Sequence, residues 1–299
     1  LSFIKTRKKE NHKFMQKENI KKAAVIGFPV SQSLSPKLHG YWLETHGIYG
    51  SYEAIEIKPE HLKTSWQKLI DAGYAGWNVT IPHKEKAFEL VDACDPISAK
   101  IGAVNTVVVG ENKKTIGYNT DVIGFIKSIA PHVNSQHKTA TIVGAGGAAR
   151  AIVIALIESG IMEITIINRT PEKISAIINL IKPHYPEISW REKIFTENLK
   201  IAETDILVNT TSLGMTGQDP LKISISSLPK HAIVADIIYK PLQTELLKQA
   251  QEQNLVALNG LPMLIYQAMP GFRFWFCPEK SEKWQPEFSE KLKNRLLST

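Results

Sequence analysis

Two cysteines, Cys94 and Cys277, are all that the 299 residues contain. Two thiols so far apart in sequence build neither a disulfide framework nor a zinc knuckle, so the chain reads as a protein of a reducing compartment, with a cytoplasmic location expected. The nine histidines include no HExxH or other tight ligand spacing, and no metal site is expected. Long apolar runs are missing as well. The best, Ala151 to Ile157, is broken by Glu158 and Gly160, well short of a bilayer span, so no membrane partner is expected. Internal repeats and low-complexity tracts are also absent.

The net charge of +7 would suit a nucleic-acid binder if it were spread over a face. It is not. Residues 1 to 22 hold eight of the 36 basic side chains and two of the 29 acidic ones, which leaves 28 against 27 in the other 277 residues. The body is close to neutral, and no nucleic-acid partner is expected. Residues 1–21 lack apolar periodicity and read as a solvated basic arm outside the fold. A mitochondrial transit peptide is a second reading, weakened by Glu10, Glu18 and the scarcity of Arg, and a third is translation starting at Met15 with the residues before it an upstream extension.

From Ala23 onward, short apolar strands alternate with helices, the pattern of an α/β protein with a mainly parallel sheet. The expected strands are Ala23 to Gly27, Tyr52 to Ile57, one ending at Thr80, and the pair Asn105 to Val109 and Thr115 to Tyr118. The expected helices follow Pro36, run from about Glu60 to Ala72, and start near Pro82. A second series begins with the strand Thr139 to Val143 and the helix Ala148 to Glu158. Strands at Ile164 to Ile167, Asp205 to Val208, Ile233 to Asp236 and Leu255 to Leu258 continue it, the arrangement of a doubly wound Rossmann-type domain. Beyond Gly260 only helices are expected, Pro262 to Met269 and roughly Gln285 to Leu297. The layout is therefore two domains: a mixed-sheet α/β domain from residues 22–121 and 260–299, interrupted by a Rossmann-type domain at 122–259.

Gly144-Ala145-Gly146-Gly147-Ala148-Ala149 fits G-x-G-x-x-A and stands where a dinucleotide site needs it, after a strand and at the start of a helix. Gly144 suits the tight turn, Gly146 the approach of backbone to a pyrophosphate, and Ala149 close helix packing. At the end of the next strand, where an acid would hold the 2′-hydroxyl of NAD, the chain has Asn168-Arg169-Thr170. Arg169 can grip a 2′-phosphate in bidentate fashion, Lys173 adds a second cation, and Thr170 is placed to cap the helix starting at Pro171. The cofactor expected is NADP(H).

The cluster Asn78-Val79-Thr80-Ile81-Pro82-His83-Lys84 places a lysine near a helix N-terminus, where the dipole disfavours its charge. That makes Lys84 either a candidate proton donor or an ordinary surface lysine. Asp121, in Asn119-Thr120-Asp121, is either part of a helix cap or a carboxylate that pairs with Lys84. In Ser31-Gln32-Ser33-Leu34-Ser35-Pro36, Ser35 looks like an N-cap ahead of a proline, and such a helix start also offers a neutral cradle to a carboxylate.

Taken together and in order, these pieces resemble the shikimate dehydrogenase family. The resemblance covers nearly everything from Ala24 to Phe276. It includes Gly27-Phe28-Pro29-Val30, Gly102-Ala103-Val104-Asn105-Thr106, Asn209 to Met215, Asp236 to Pro241, and Gly260 to Leu264 with Gln267-Ala268. It implies an NADP-dependent oxidoreductase that interconverts 3-dehydroshikimate and shikimate in aromatic amino acid biosynthesis, as a monomer or homodimer, with the discontinuous domain binding substrate. By position, Ser33 and Ser35 resemble the hydroxyls that hold the substrate carboxylate, and Thr80, Asn105, Asp121 and Gln267 the groups that bind ring hydroxyls. Lys84 matches the catalytic lysine and Asp121 its partner, while Tyr239 matches a tyrosine near the carboxylate. Met215, Ile237 and Gly260 fall where the family contacts the nicotinamide end. Gln32, Gly40 and Thr210 depart from common family residues without touching an assigned role. The alternatives are a quinate/shikimate dehydrogenase and a non-catalytic regulator on the same scaffold. Loss of Lys84 or Asp121 would mark the regulator, and both are present.

Overall fold

The computed structural model describes residues 20–277 and 288–298. The expected arm up to residue 19 lies outside them, as do residues 285–287 of the last expected helix. The chain divides into two compact units. One holds the described residues up to Ala93, then Asn105–Gly117 and the stretch from Met269 on; the other holds Cys94–Val104 and Tyr118–Ala268.

The first unit is built on strands β1 (Lys21–Gly27), β2 (Gly50–Glu56), β3 (Tyr74–Val79), β4 (Ala93–Cys94), β5 (Thr106–Val109) and β6 (Thr115–Tyr118), in the spatial order β2-β1-β3-β5-β6-β4. β1 pairs in parallel with both β2 and β3, and β3 runs antiparallel to β5, so the sheet is mixed as expected. Central β1 is buried from Ala23 to Gly27, which explains its unbroken small and apolar run. It also starts earlier than expected. Lys21 and Lys22 belong to the strand and not to an arm: the Lys22 ammonium donates to the Ala72 carbonyl at 2.8 Å and lies over the Tyr74 ring.

Helices α1 (Ser35–Thr45), α2 (Leu62–Asp71) and α3 (Lys84–Leu90) connect these strands. α1 carries the unit's least conventional core residue, His39, which is wholly buried and stacked on Tyr52 at 3.9 Å with the rings 7° from parallel. Trp42, Phe272 and Trp275 complete the aromatic box, with ring centroids 5.6 to 5.8 Å away. Among the described residues, neither ring nitrogen of His39 has a hydrogen-bond partner.

In the second unit, strands β7 (Thr139–Val143), β8 (Glu163–Asn168), β9 (Ser189–Ile194), β11 (Ile206–Asn209), β13 (Ile233–Asp236) and β14 (Val256–Leu258) form one sheet, ordered β14-β13-β11-β7-β8-β9. Every pairing is parallel, and the order reverses on either side of β7, as in a doubly wound Rossmann sheet. A two-stranded ribbon, β10 (Leu199–Lys200) with β12 (Ile223–Ser224), stands apart from it. The helices of this unit are α4 (Pro96–Ile101), α5 (Asp121–Ile129), α6 (Gly147–Glu158), α7 (Pro171–Ile181) and α8 (Glu245–Glu252). α9 (Leu261–Phe276) follows, and α10 (Glu290–Leu297) belongs to the first unit. α6 is buried at Ala149 and at every position from Ala151 to Ile157, which makes it the spine of the core.

The units depart from the expected division at three places: residues 94–104, 118–121 and 260–268 sit with the Rossmann sheet. One cause is Arg150 of α6, whose guanidinium donates to the carbonyls of Ile101 and Gly102 at the end of α4. Another is Gly124 on α5, where a Cβ would fall 2.7 Å from that of Gln267, so α5 and α9 lie in close contact. The expectation that all helices beyond Gly260 join the first domain is corrected accordingly. α9 changes unit between Ala268 and Met269, beside the internal Pro270. β9 was not expected at all; its sequence, SWREKI, is exposed at five of six positions and charged, as suits an edge strand.

Burial alone holds His39 at a pKa of about 3. The folded chain then binds fewer protons than the unfolded one, so His39 costs stability as pH falls through about 6.5, and the cost levels off near 3. His39→Phe keeps the stack and removes the titration. The difference in melting temperature, variant minus parent, should therefore rise between pH 7.5 and pH 5. A difference independent of pH would contradict a buried neutral imidazole.

Candidate active site

In the first unit the assigned side chains collect where β1 and β3 end and β5 begins. Thr80 follows β3 directly; its amide donates to the Ile26 carbonyl at 2.9 Å, while the Phe28 amide donates to Ile81 at 2.9 Å and the Val79 amide to Asn105 at 2.8 Å. Three chain segments are thus tied at one rim. Ser33 and Ser35 sit at the start of α1, but one position later than a cap would require. Leu34 occupies the cap, Ser35 is the first helical residue, and the Ser33 hydroxyl accepts from the Ser35 amide at 3.2 Å. This is a local serine turn just ahead of the helix.

Pro82 likewise precedes α3 instead of opening it. His83 is the cap residue, with its imidazole held to the Ile57 carbonyl at 2.7 Å, and Lys84 is the first residue of the helix. Lys84 is half-buried at the positive end of α3, the place the sequence pointed to.

Asn105 is 2% exposed and heads a buried polar chain. The Thr106 hydroxyl donates to Asn105 Oδ1 at 3.0 Å, Asn78 Nδ2 donates to Thr106 Oγ1 at 3.0 Å and to the Asn105 carbonyl at 3.2 Å, and the Tyr52 hydroxyl donates to Asn78 Oδ1 at 2.6 Å. Tyr52 is also hydrogen-bonded to the Ser35 side chain, and burial pushes its phenol well above the ordinary range.

In the second unit the Gly-rich turn links β7 to α6. Gly144 adopts φ +113°, and a Cβ there would stand 2.5 Å from Thr210 Oγ1, so both the backbone angle and the neighbouring chain require glycine. Around Gly146 nothing lies within 4 Å of a built Cβ, and the N-terminus of the twelve-residue α6 opens there. Ala145 and Ala149 are buried under the turn, while Gly147 and Ala148 are partly accessible. Asn168 ends β8 and donates from its side chain to the Thr170 carbonyl at 3.0 Å. Arg169, Thr170 and Lys173 are exposed around the start of α7. Thr170 holds the cap position, yet among the described residues its hydroxyl makes no capping bond, which corrects that expectation.

Asp121 is the first residue of α5 and is 5% exposed. The Asn119 side chain accepts from its amide at 3.2 Å and donates to the Ala103 carbonyl at 2.9 Å. Thr120 points its hydroxyl at Gln267 Oε1, 3.5 Å away, and Gln267 Nε2 donates to the Leu264 carbonyl at 2.9 Å. Thr120, Asp121 and Gln267 are therefore brought together within this unit. Ile237 and Gly260 also meet, because a Cβ on Gly260 would fall 2.0 Å from the Ile237 carbonyl oxygen. Tyr239 is half-buried two residues on, and Met215 is 40% exposed on a loop joined to the same turn by the Thr216 amide and the Lys240 carbonyl.

Beneath this corner lies Asp236, 2% exposed, whose carboxylate accepts from Asn209 Nδ2 (3.1 Å), the Ile238 amide (3.1 Å) and Thr244 Oγ1 (2.7 Å). Burial pushes its carboxyl up and these three donors pull it back. Asp236, Asn209, Tyr52 and Asn78 were not singled out from sequence as functional residues. The one available signal was a polar residue at the buried end of an apolar strand.

Residues 25–107 match a shikimate dehydrogenase substrate binding domain, and residues 126–218 match a shikimate / quinate 5-dehydrogenase domain. The shikimate dehydrogenase (NADP(+)) of Methylobacterium radiotolerans is 42% identical over 282 residues, covering 93% of this chain and 96% of the relative. The chain belongs to the shikimate dehydrogenase family. Among solved structures, the shikimate 5-dehydrogenase of Thermus thermophilus in complex with NADP(H) and shikimate superposes with a TM-score of 0.76 at 31% identity, over 93% of this chain and 97% of that one. A 5-ketofructose reductase of Gluconobacter is similar too, with a TM-score of 0.75 at 32% identity over 86% and 93% of the two chains.

The two turn glycines should separate by substitution. Gly144→Ala puts a side chain into a forbidden angle and against Thr210, and should lower stability by about 1–3 kcal/mol. Gly146→Ala meets open space and should leave the melting temperature within a degree or two of the parent. Thermal melts of both variants check this, and equal losses would contradict the geometry of the turn.

Proposed function

We propose that the protein catalyses the reversible NADPH-dependent reduction of 3-dehydroshikimate to shikimate, with Ser33, Ser35, Thr80, Lys84 and Asn105 of the first unit and Asp121, Tyr239 and Gln267 of the second assigned to substrate, and the second unit binding the cofactor. The observation that carries the cofactor half is the β7-turn-α6 corner at the reversal point of a parallel sheet, with Arg169 at the end of the neighbouring strand. The donor set fits a phosphorylated dinucleotide: a bare helix start at Gly146 for a pyrophosphate, and the exposed cations Arg169 and Lys173 for a 2′-phosphate. The relative from Methylobacterium and the Thermus structure, both named with NADP, support the same choice.

When bound, the nicotinamide supplies or accepts the hydride. The remaining work falls to this chain's own side chains. Ser33 and Ser35 offer hydroxyls to a carboxylate, with Tyr239 assigned nearby, and Thr80, Asn105 and Gln267 offer amide or hydroxyl groups to ring hydroxyls. Lys84 gives a proton from Nζ to the ketone oxygen as negative charge develops there, and Asp121 is assigned as the carboxylate that orients it and recovers the proton in reverse. Met215, Ile237 and Gly260 are assigned to the nicotinamide end. We further propose a cytoplasmic monomer or homodimer that binds no nucleic acid. Among the described residues, no helix is long and apolar enough to cross a membrane. A quinate/shikimate dehydrogenase is a second reading, supported by the breadth of the domain matched at residues 126–218.

If Lys84 donates the proton, Lys84→Met lowers kcat by about a hundredfold or more with both ligands still binding. Asp121→Asn lowers kcat too, and the double variant is little worse than Lys84→Met alone, since groups acting as one unit are not additive. Near-parental turnover by Lys84→Met would remove the lysine from the chemistry. Arg169→Ala should raise KM for NADP+ about tenfold, some 1.4 kcal/mol, with little change for NAD+. Equal losses with both cofactors would count against a 2′-phosphate contact.

A further inference from the structure

The buried chain from Ser35 to Asn105 has a direction. Asn78 Nδ2 donates both to the Asn105 carbonyl and to Thr106 Oγ1, which fixes the Asn78 amide with its oxygen toward Tyr52. The Tyr52 proton is therefore given to Asn78 Oδ1 at 2.6 Å, and the bond between Tyr52 and Ser35 needs the serine proton. At the other end Thr106 has accepted from Asn78, so its own proton goes to Asn105 Oδ1 at 3.0 Å. The Asn105 amide is thereby oriented, with Oδ1 committed to Thr106 and Nδ2 on the opposite side. All five side chains are buried, from Thr106 at 0% to Tyr52 at 9% exposure, so water cannot substitute for a missing link.

We propose that Tyr52 is a positioning residue for substrate: its hydroxyl satisfies the buried Asn78 oxygen, which steadies the amide that orients Asn105 through Thr106, and it holds Ser35 at the opposite end. This rests on the reading of Ser35 and Asn105 as substrate contacts. Ser35 can turn its proton to a ligand carboxylate while the Tyr52 proton stays on Asn78, so binding exchanges one bond and leaves the rest of the chain intact. Without the phenol, Asn78 Oδ1 is buried with no donor; the Asn105 carbonyl still favours the same amide orientation, but the unmatched oxygen loosens the Asn78 amide and with it the hold of Thr106 on Asn105. The Tyr52 ring is itself clamped by the parallel His39 stack, so removing the hydroxyl leaves the ring in place.

The test is steady-state oxidation of shikimate by NADP+ with Tyr52→Phe, Asn105→Ala and their double variant, with Ser35→Ala as a control. Tyr52→Phe should raise KM for shikimate about tenfold, leave KM for NADP+ within about twofold, and add little to Asn105→Ala in the double variant. A general loss of packing would not split the two KM values, and independent effects would multiply. If Asn105→Ala raises KM for shikimate while Tyr52→Phe does not, or if the two effects multiply, the positioning role is overturned. If neither Asn105→Ala nor Ser35→Ala changes it, the assignment of those residues to substrate fails instead. Thr106→Val cuts the same chain at its far end with the same expectation, and serves should Tyr52→Phe not fold.

Discussion

Parallel strand pairing is the constraint on which both units depend. A parallel neighbour cannot be reached by a hairpin, so each strand must leave its sheet at the carboxyl end and return through a crossover, usually a helix. Loops and helix starts collect at that rim in consequence, and the assigned residues follow it closely. Thr80 comes directly after β3, Gly144 after β7 and Ile237 after β13, while Asn168 closes β8. The helices that leave the rim begin with their positive ends toward it, which suits a carboxylate at α1 and phosphates at α6.

The rim would be a collection of mobile loops were it not tied from below by polar residues buried at the strand ends. In the first unit the tie is the chain through Tyr52, Asn78 and Thr106. In the second it is Asp236, which receives a side-chain donor from β11, a backbone donor from its own turn and the hydroxyl of the residue that caps α8. Both are fully donor-matched clusters in apolar surroundings, where an unmatched group is costly and a matched one fixes a single geometry. The same turn carries Ile237 and receives Gly260, so a buried carboxylate shapes a corner assigned to the nicotinamide.

How much of this can be read from the residues depends on whether local chemistry or distant packing sets the feature. The Gly-rich turn was legible because spacing, strand and helix start all follow from one local requirement. The central strands were legible because burial on both faces leaves unbroken apolar runs. β9 was not, since an edge strand carrying Arg191, Glu192 and Lys193 has no apolar signature. Ser35 was read as a cap and is the first helical residue, with Leu34 at the cap position and the Ser35 amide held by the Ser33 hydroxyl. Tyr52 resembles an ordinary strand aromatic until its partners on α1 and β3 are known. The boundaries between units were misplaced by contacts, such as Arg150 with the end of α4, that join residues some fifty positions apart.

The central claim is that this site turns over shikimate with a 2′-phosphorylated cofactor. It is tested most directly by kcat/KM of the unmodified protein across four combinations, shikimate or quinate with NADP+ or NAD+. The account predicts the highest value for shikimate with NADP+, by at least about tenfold over each other pair, the factor one well-placed charged contact supplies. A preference for NAD+, or for quinate over shikimate, would contradict it.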